Sequence, residues 1–225
     1  MKDSSLIPVN AVADQKRRAF WLKHLHQWHW ISSGICLVAM LAFAVTGLTL
    51  NHAAQIEAKP QVVHRTAVLP PALLTPLRQQ AEAASAVDTK GGSKDPLPAP
   101  VRDWVAQQWS VAVGTQAAEW STDEVYVALP RPGGDAWLRV ALEDGQVEYE
   151  KTDRGWISYF NDLHKGRNTG AAWSWFIDIF AVACLVFCIT GLFLLQMHAG
   201  KRPATWPLVA LGLVAPLLLA LLFMH

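Results

Sequence analysis

Three long apolar stretches decide what this chain can fold into. Ile31–Leu50 and Trp206–Met224 hold no charged residue, and Ala171–Met197 holds one, Asp178. Each approaches or exceeds the roughly 20 apolar residues that cross a bilayer as a helix. Charged residues make up 16% of the 225, against about 25% in a typical soluble domain. A purely soluble enzyme is excluded. A removable signal peptide is not expected, because the first stretch is too long for a signal core and ends in Thr-Leu-Asn-His rather than a small-x-small site.

Charge gives the expected topology. Lys16, Arg17, Arg18 and Lys23 precede the first stretch, and Lys201 and Arg202 lie between the second and third. Short basic flanks stay in the cytoplasm, which sends the long middle segment to the periplasm and His225 outside. The expected location is a bacterial inner membrane. Trp21, Trp28, Trp30, Trp173, Trp175 and Trp206 crowd the span boundaries, as an interfacial belt does. The net charge of +1 gives no footprint for nucleic acid. Cys36, Cys184 and Cys188 all fall inside apolar stretches, so no disulfide framework is expected outside the membrane.

Composition divides the chain further. The expected organisation is a cytoplasmic N-terminus over 1–23, a first transmembrane helix over 24–51, and a periplasmic linker over 52–100. A small module over 101–169 follows, then a second transmembrane helix over 170–198, a cytoplasmic turn over 199–205 and a third over 206–224. The linker is rich in Pro, Ala, Ser and Gly, including Gly91-Gly92-Ser93-Lys94; within it 77–86 reads as a short helix. In the module 101–109 reads as an amphipathic helix. Strands are expected over 125–129, 136–142 and 146–151, joined by Arg131-Pro132-Gly133-Gly134 and Glu143-Asp144-Gly145. The fold class is thus a membrane α-helical protein with three transmembrane helices and a small α+β periplasmic domain, a helix plus a three-stranded antiparallel meander.

Six of the eight histidines sit near span boundaries: His24, His26 and His29 before the first, His52 after it, and His164 and His198 flanking the second. The two spans read as a repeat. Each runs Leu-His, apolar stretch, Thr-Gly-Leu-x-Leu, His, with Leu25-His26, Thr46–Leu50 and His52 answered by Leu163-His164, Thr190–Leu194 and His198. The spans run in opposite directions, so the repeat is inverted. Antiparallel packing would bring His198 to His26 or His29 on the inner side, and His52 to His164 on the outer side. Neutral imidazoles from facing helices are axial ligands for haem iron. Gly34, Gly47, Gly170 and Gly191 leave room for a flat macrocycle, or for close helix packing. His52 and His164 are the expected iron ligands near the periplasmic surface; zinc or copper on the same set of histidines is the competing reading, but no recognised zinc spacing supports it. His26 and His52 lie about seven turns apart and share a face, whereas His29 and His52 lie about six and a half turns apart; a kink or a dimer interface would favour His29.

These motifs resemble the PepSY-associated transmembrane-helix family of bacterial inner-membrane proteins. The resemblance rests on Leu-His-Gln-Trp-His-Trp at 25–30, Thr-Gly-Leu-Thr-Leu at 46–50, Leu-His-Lys-Gly at 163–166 and Thr-Gly-Leu-Phe-Leu at 190–194. It implies that the 101–169 module is PepSY-like, that the spans hold haem b (one or two per chain, or shared in a dimer), and that ferric iron or a ferric siderophore is reduced in the periplasm. The family's Leu-His-x-Trp histidine maps onto His26, leaving His29 as an addition.

No Gly-x-Gly-x-x-Gly or phosphate loop is present, so electrons are expected from a quinol or a cytoplasmic reductant. Asp178, a carboxylate inside a span, is a candidate proton carrier or partner of a haem ligand; the alternative is a structural bond to Ser32, Ser33 or a tryptophan. The expected activity is that of an oxidoreductase, a ferric reductase supporting iron uptake. The alternatives are a membrane-anchored PepSY-type binding module and an accessory subunit of an iron transporter. A thin bundle with small residues on its first span is expected to work in the lipid membrane as a homodimer.

Overall fold

The computed structural model describes residues 9–56, 59–86 and 94–224. The Gly91-Gly92-Ser93 part of the expected linker and His225 lie outside the described residues. The elements are α1 (Val9–Asn51), β1 (Gln61–Val68), α2 (Pro71–Ala86), α3 (Ala99–Trp109), β2 (Glu119–Trp120), β3 (Glu124–Ala128), β4 (Gly134–Ala141), β5 (Gln146–Asp153), α4 (Gly155–Lys165), α5 (Ala171–His198) and α6 (Thr205–Phe223). Three helices are long and apolar enough to cross a membrane: Ala13–Asn51 of α1, α5 and α6. The chain divides into two compact units, one of Met1–Ala42 with Trp175–His225, the other of Phe43–Ser174.

The first unit is helical. Its helices expose apolar side chains such as Val38, Leu41, Val182 and Leu213, as lipid-facing surfaces do. Cys36 and Ser32 are buried, and α6 buries no residue. All three cysteines are free thiols.

The second unit is built on a five-stranded antiparallel sheet in the order β1-β5-β4-β3-β2. Burial alternates strictly along β4 from Gly134 to Val140 and at the start of β5, the period-2 pattern of a sheet with one covered face. Val125, Val127, Leu138, Val140 and Val147 point into a core closed by Leu74, Leu77 and Ala81 of α2 and Val101 and Val105 of α3. Arg78 fastens α2 to the β4–β5 turn, its guanidinium donating to the carbonyls of Leu142 and Glu143 at 2.6 Å each. The expected meander is therefore present but incomplete. The sheet has five strands, and the stretch read as linker supplies both β1 and α2. β1 escaped detection because it has no buried face. It is an edge strand exposed along nearly its whole length, held by eight register pairs with β5 from Gln61↔Asp153 to Val68↔Gln146.

The β3–β4 turn positions α4. Gly133, at φ +75°, donates its N–H to the buried Asp162 carboxylate at 2.9 Å. A side chain on the adjacent Gly134 would overlap the carbonyl oxygen of Thr152. Gly134→Ala is expected to destabilise this unit by about 1–3 kcal/mol, the scale of core overpacking. A thermal scan of the purified protein, followed by tryptophan fluorescence, checks this, with Gly114→Ala as a control whose nearest neighbour is a flexible side-chain end.

Candidate functional site

Each unit contains one half-buried histidine docked on a Thr-Gly pair of a membrane helix. In the second unit His164, in the last turn of α4, places Nδ1 2.7 Å from the Thr46 hydroxyl of α1. Its ring packs on Phe43 at 4.9 Å between centroids, and its Cε1 lies 3.5 Å from where a Cβ of Gly47 would stand. In the first unit His29 of α1 places Nδ1 3.0 Å from the Thr190 hydroxyl of α5. Its ring stacks on Phe187 at 4.6 Å, and its Cε1 lies 3.3 Å from a Cβ of Gly191. The two constellations have the same parts in the same order. The full phrase is Phe-x-x-Thr-Gly-Leu-x-Leu, at 43–50 and 187–194.

Each threonine hydroxyl also has a backbone carbonyl of its own helix within reach. The Thr46 hydroxyl donates to the Phe43 carbonyl at 3.1 Å, and that of Thr190 to the Val186 carbonyl at 2.7 Å. With the hydroxyl proton on the carbonyl, each oxygen accepts from the imidazole tautomer that carries its proton on Nδ1 and leaves a lone pair on Nε2; for His29 the Phe187 carbonyl, 3.2 Å from Nδ1, selects that tautomer. The same logic covers the exposed histidines. Nδ1 of His26, His52 and His198 faces the carbonyl four residues earlier, of Leu22, Leu48 and Leu194, at 2.8, 3.0 and 2.8 Å. A carbonyl only accepts, so these three also donate from Nδ1 and present Nε2. Committing one ring nitrogen to a protein acceptor orients the other as a ligand.

The structure brings some of the expected residues together and separates others. His26 and His198 meet, with ring centroids 6.0 Å apart and planes nearly perpendicular. His29 and His198 line one apolar cavity of about 600 Å³ with Phe187, Gly191 and Leu195. The expected meeting of His52 with His164 does not occur. His164 belongs to the separate helix α4, which ends at Gly166 in the left-handed region. There it docks on Thr46, while the His52 ring nitrogen is bonded within its own helix. Likewise the partner that answers His164 in the repeat is His29, since it is His29 that reaches Thr190 and Gly191. Asp178 is exposed and forms no hydrogen bond or ion pair among the described residues. The Ser32 hydroxyl, one of its expected partners, donates instead to the carbonyls of Trp28 and His29.

The aromatic member of each constellation was not anticipated. Phe43 and Phe187 precede their threonines by three residues, so extending the repeat by one turn toward the N-terminus would have found them. Asn161 was also missed; its side-chain oxygen accepts from Thr49 at 2.7 Å and holds α4 against α1 one turn from His164. Among the described residues no three His, Cys, Asp or Glu side chains gather as a metal site.

No curated protein and no solved structure matches the chain. A family model, PepSY_TM-like, matches residues 20–225, which takes in both Phe-x-x-Thr-Gly-Leu-x-Leu phrases and all the histidines described above. The chain belongs to the PepSY_TM-like family of membrane proteins.

Proposed function

We propose that this protein is a bacterial inner-membrane b-type haem protein that delivers electrons to a periplasmic acceptor, ferric iron free or bound to a siderophore. The observation that carries the reading is the repeated constellation. Two imidazoles have Nδ1 tied to a threonine hydroxyl, Nε2 available, and a glycine against the ring, at Gly191 where a Cβ would crowd it and at Gly47 where a Cβ would just touch it. In the first unit the imidazoles of His29 and His198 beside an apolar cavity lined by Gly191 suit a haem. His29 and His198, with His26 beside them, would hold it in the first unit; His164 would be the ligand in the second. Haem bound there supplies a one-electron iron couple whose potential depends on the imidazoles and their burial.

The chain's own residues orient and insulate. Thr46 and Thr190 hold the ring nitrogens, Phe43 and Phe187 pack on the ring faces, and apolar α5 side chains such as Leu195 line the cavity. Basic residues at 16–23 and at 201–202 hold that end of the bundle in the cytoplasm. Proteoliposomes enclosing a reductant and offered an external ferric chelate test the activity. Ferrous iron should form well above the protein-free rate; equal rates would contradict the reading.

Two further outcomes follow from the same geometry. Thr46→Val keeps the shape but removes the hydroxyl at Nδ1 of His164, and Thr190→Val removes the nearer of the two oxygens at Nδ1 of His29, leaving the Phe187 carbonyl at 3.2 Å. Each is expected to weaken haem retention about 10–100-fold, the usual cost of losing a ligand's supporting partner, as read by haem transfer to apomyoglobin. The proposal also takes the protein as a homodimer. α6 buries nothing, and Asp178 is an exposed carboxylate on an apolar helix, which in lipid calls for a polar partner. Mass photometry in nanodiscs should give twice the chain mass; a haem-loaded monomer would contradict it.

A further inference from the structure

The first unit has a second cavity, of about 600 Å³, between the N-terminal part of α1 and the last turns of α5. Its wall is apolar, made by Trp21, Leu25, Phe193 and Met197; its rim is polar, made by Asp14, Arg17 and Arg18. The volume falls in the range of small-molecule sites. Leu25 and Met197 directly precede His26 and His198 in the chain, and those two rings lie 6.0 Å apart. The rim is anchored, because the Arg18 guanidinium donates to the Met197 carbonyl at 3.1 Å. Asp14 lies 3.9 Å from the Arg17 guanidinium and is largely exposed.

We infer that this cavity is a binding site for the head group of a membrane hydroquinone. The inference rests on the electron-transfer reading above for its role, and on the cavity alone for its ligand. A hydroquinone is a flat uncharged ring with a hydroxyl at each end and an apolar tail. Trp21 and Phe193 offer aromatic walls to the ring, the Asp14 carboxylate accepts a phenolic O–H, and Arg17 donates to a ring oxygen. The apolar tail would lie against Leu25 and Met197. An anionic phospholipid fits less well: the Asp14 carboxylate at the rim repels a phosphate, and one of the two guanidiniums is already engaged by a carbonyl. A nicotinamide dinucleotide would need to place a charged pyrophosphate against the same apolar wall.

With ferric iron as acceptor the reaction balances. One hydroquinone becomes a quinone, losing two electrons and two protons, and two ferric ions become ferrous. Asp14 receives the proton of the hydroxyl it binds and passes it to water, and the second phenolic proton leaves directly to water.

The test uses the full-length protein in phosphatidylcholine nanodiscs and 2-heptyl-4-hydroxyquinoline N-oxide, whose fluorescence quenches on binding quinol sites. The wild type should bind it saturably, with one equivalent per chain. Leu25→Trp, which fills the cavity, should weaken binding at least tenfold, and Asp14→Asn, which keeps the shape and needs no repacking, about threefold. Leu213→Trp, on α6, should leave it unchanged. Binding that never saturates, binding equal in wild type, Leu25→Trp and Asp14→Asn, or displacement by phosphatidylglycerol but not by ubiquinol-1 would overturn the inference. Haem assayed on the same preparation separates the two claims. Saturable binding without haem supports the quinol site and removes the electron-transfer reading. Haem reducible by dithionite in a protein that ignores the probe removes the quinol site and leaves that reading standing.

Discussion

If the proposed haem site is correct, replacing His164 with alanine is expected to remove haem from the second unit and to lower ferric reduction by about tenfold or more, on the scale of losing a metal ligand's environment. His29→Ala is expected to do the same to the first unit. Each ring makes two kinds of contact, and they predict different things. As a tie between helices, His164 contributes a hydrogen bond to Thr46 and a face against Phe43; losing these costs about 1 kcal/mol per hydrogen bond and leaves the helices in place. As a ligand, its Nε2 has no substitute within the constellation. Haem per chain, measured beside helicity and monodispersity, tells the two apart. Full haem content in both folded variants would defeat the ligand assignment.

The second large effect is expected at the glycines. A Cβ on Gly191 would stand 3.3 Å from the His29 ring, tighter than comfortable contact, so Gly191→Ala shifts the ring by a few tenths of an ångström. Gly191→Leu has no such remedy. Its branched side chain competes with the imidazole for one space, at about 1–3 kcal/mol of overpacking, and breaks the bond from Nδ1 to Thr190. Haem should be lost from the first unit with Gly191→Leu and largely kept with Gly191→Ala. Gly47→Leu should do the same to His164, where the corresponding distance is 3.5 Å. Gly34 is the control, since nothing lies within 4 Å of its Cβ position; Gly34→Leu should keep both haem and fold. Equal haem in all of these variants would show that the glycines serve helix packing alone.

The spans were legible because a run of roughly 20 apolar residues without charge is what a bilayer demands of a helix and what a soluble fold seldom uses. Strands β3, β4 and β5 were legible too, since one face of each meets the core and the other meets solvent, which writes alternation into the sequence. β1 was not. Its side chains face solvent on both sides, and its conformation comes from the ladder with β5, a partner far along the chain, from Gln61↔Asp153 to Val68↔Gln146. The end of α2 was visible as an Ala- and Gln-rich run, but its start at Pro71 was hidden in a Pro-rich context. At the site, the Thr-Gly-Leu-x-Leu repeat could be read directly, while its histidine partner could not. Local spelling pairs Leu25-His26 with Leu163-His164; packing pairs His29 with His164, because α4 is a helix of its own and brings His164 to Thr46 from outside the span. Which ring reaches which threonine depends on helix phase and on the loop after Lys165, and neither is written in a five-residue motif.

The most direct test of the central claim is the absorption spectrum of the purified full-length protein, with pyridine haemochrome quantitation. The account predicts a Soret band that moves on dithionite addition and at least one protohaem per chain, diminished in His29→Ala and His164→Ala. A folded, monodisperse protein that carries no haem and takes none up from added hemin would contradict it.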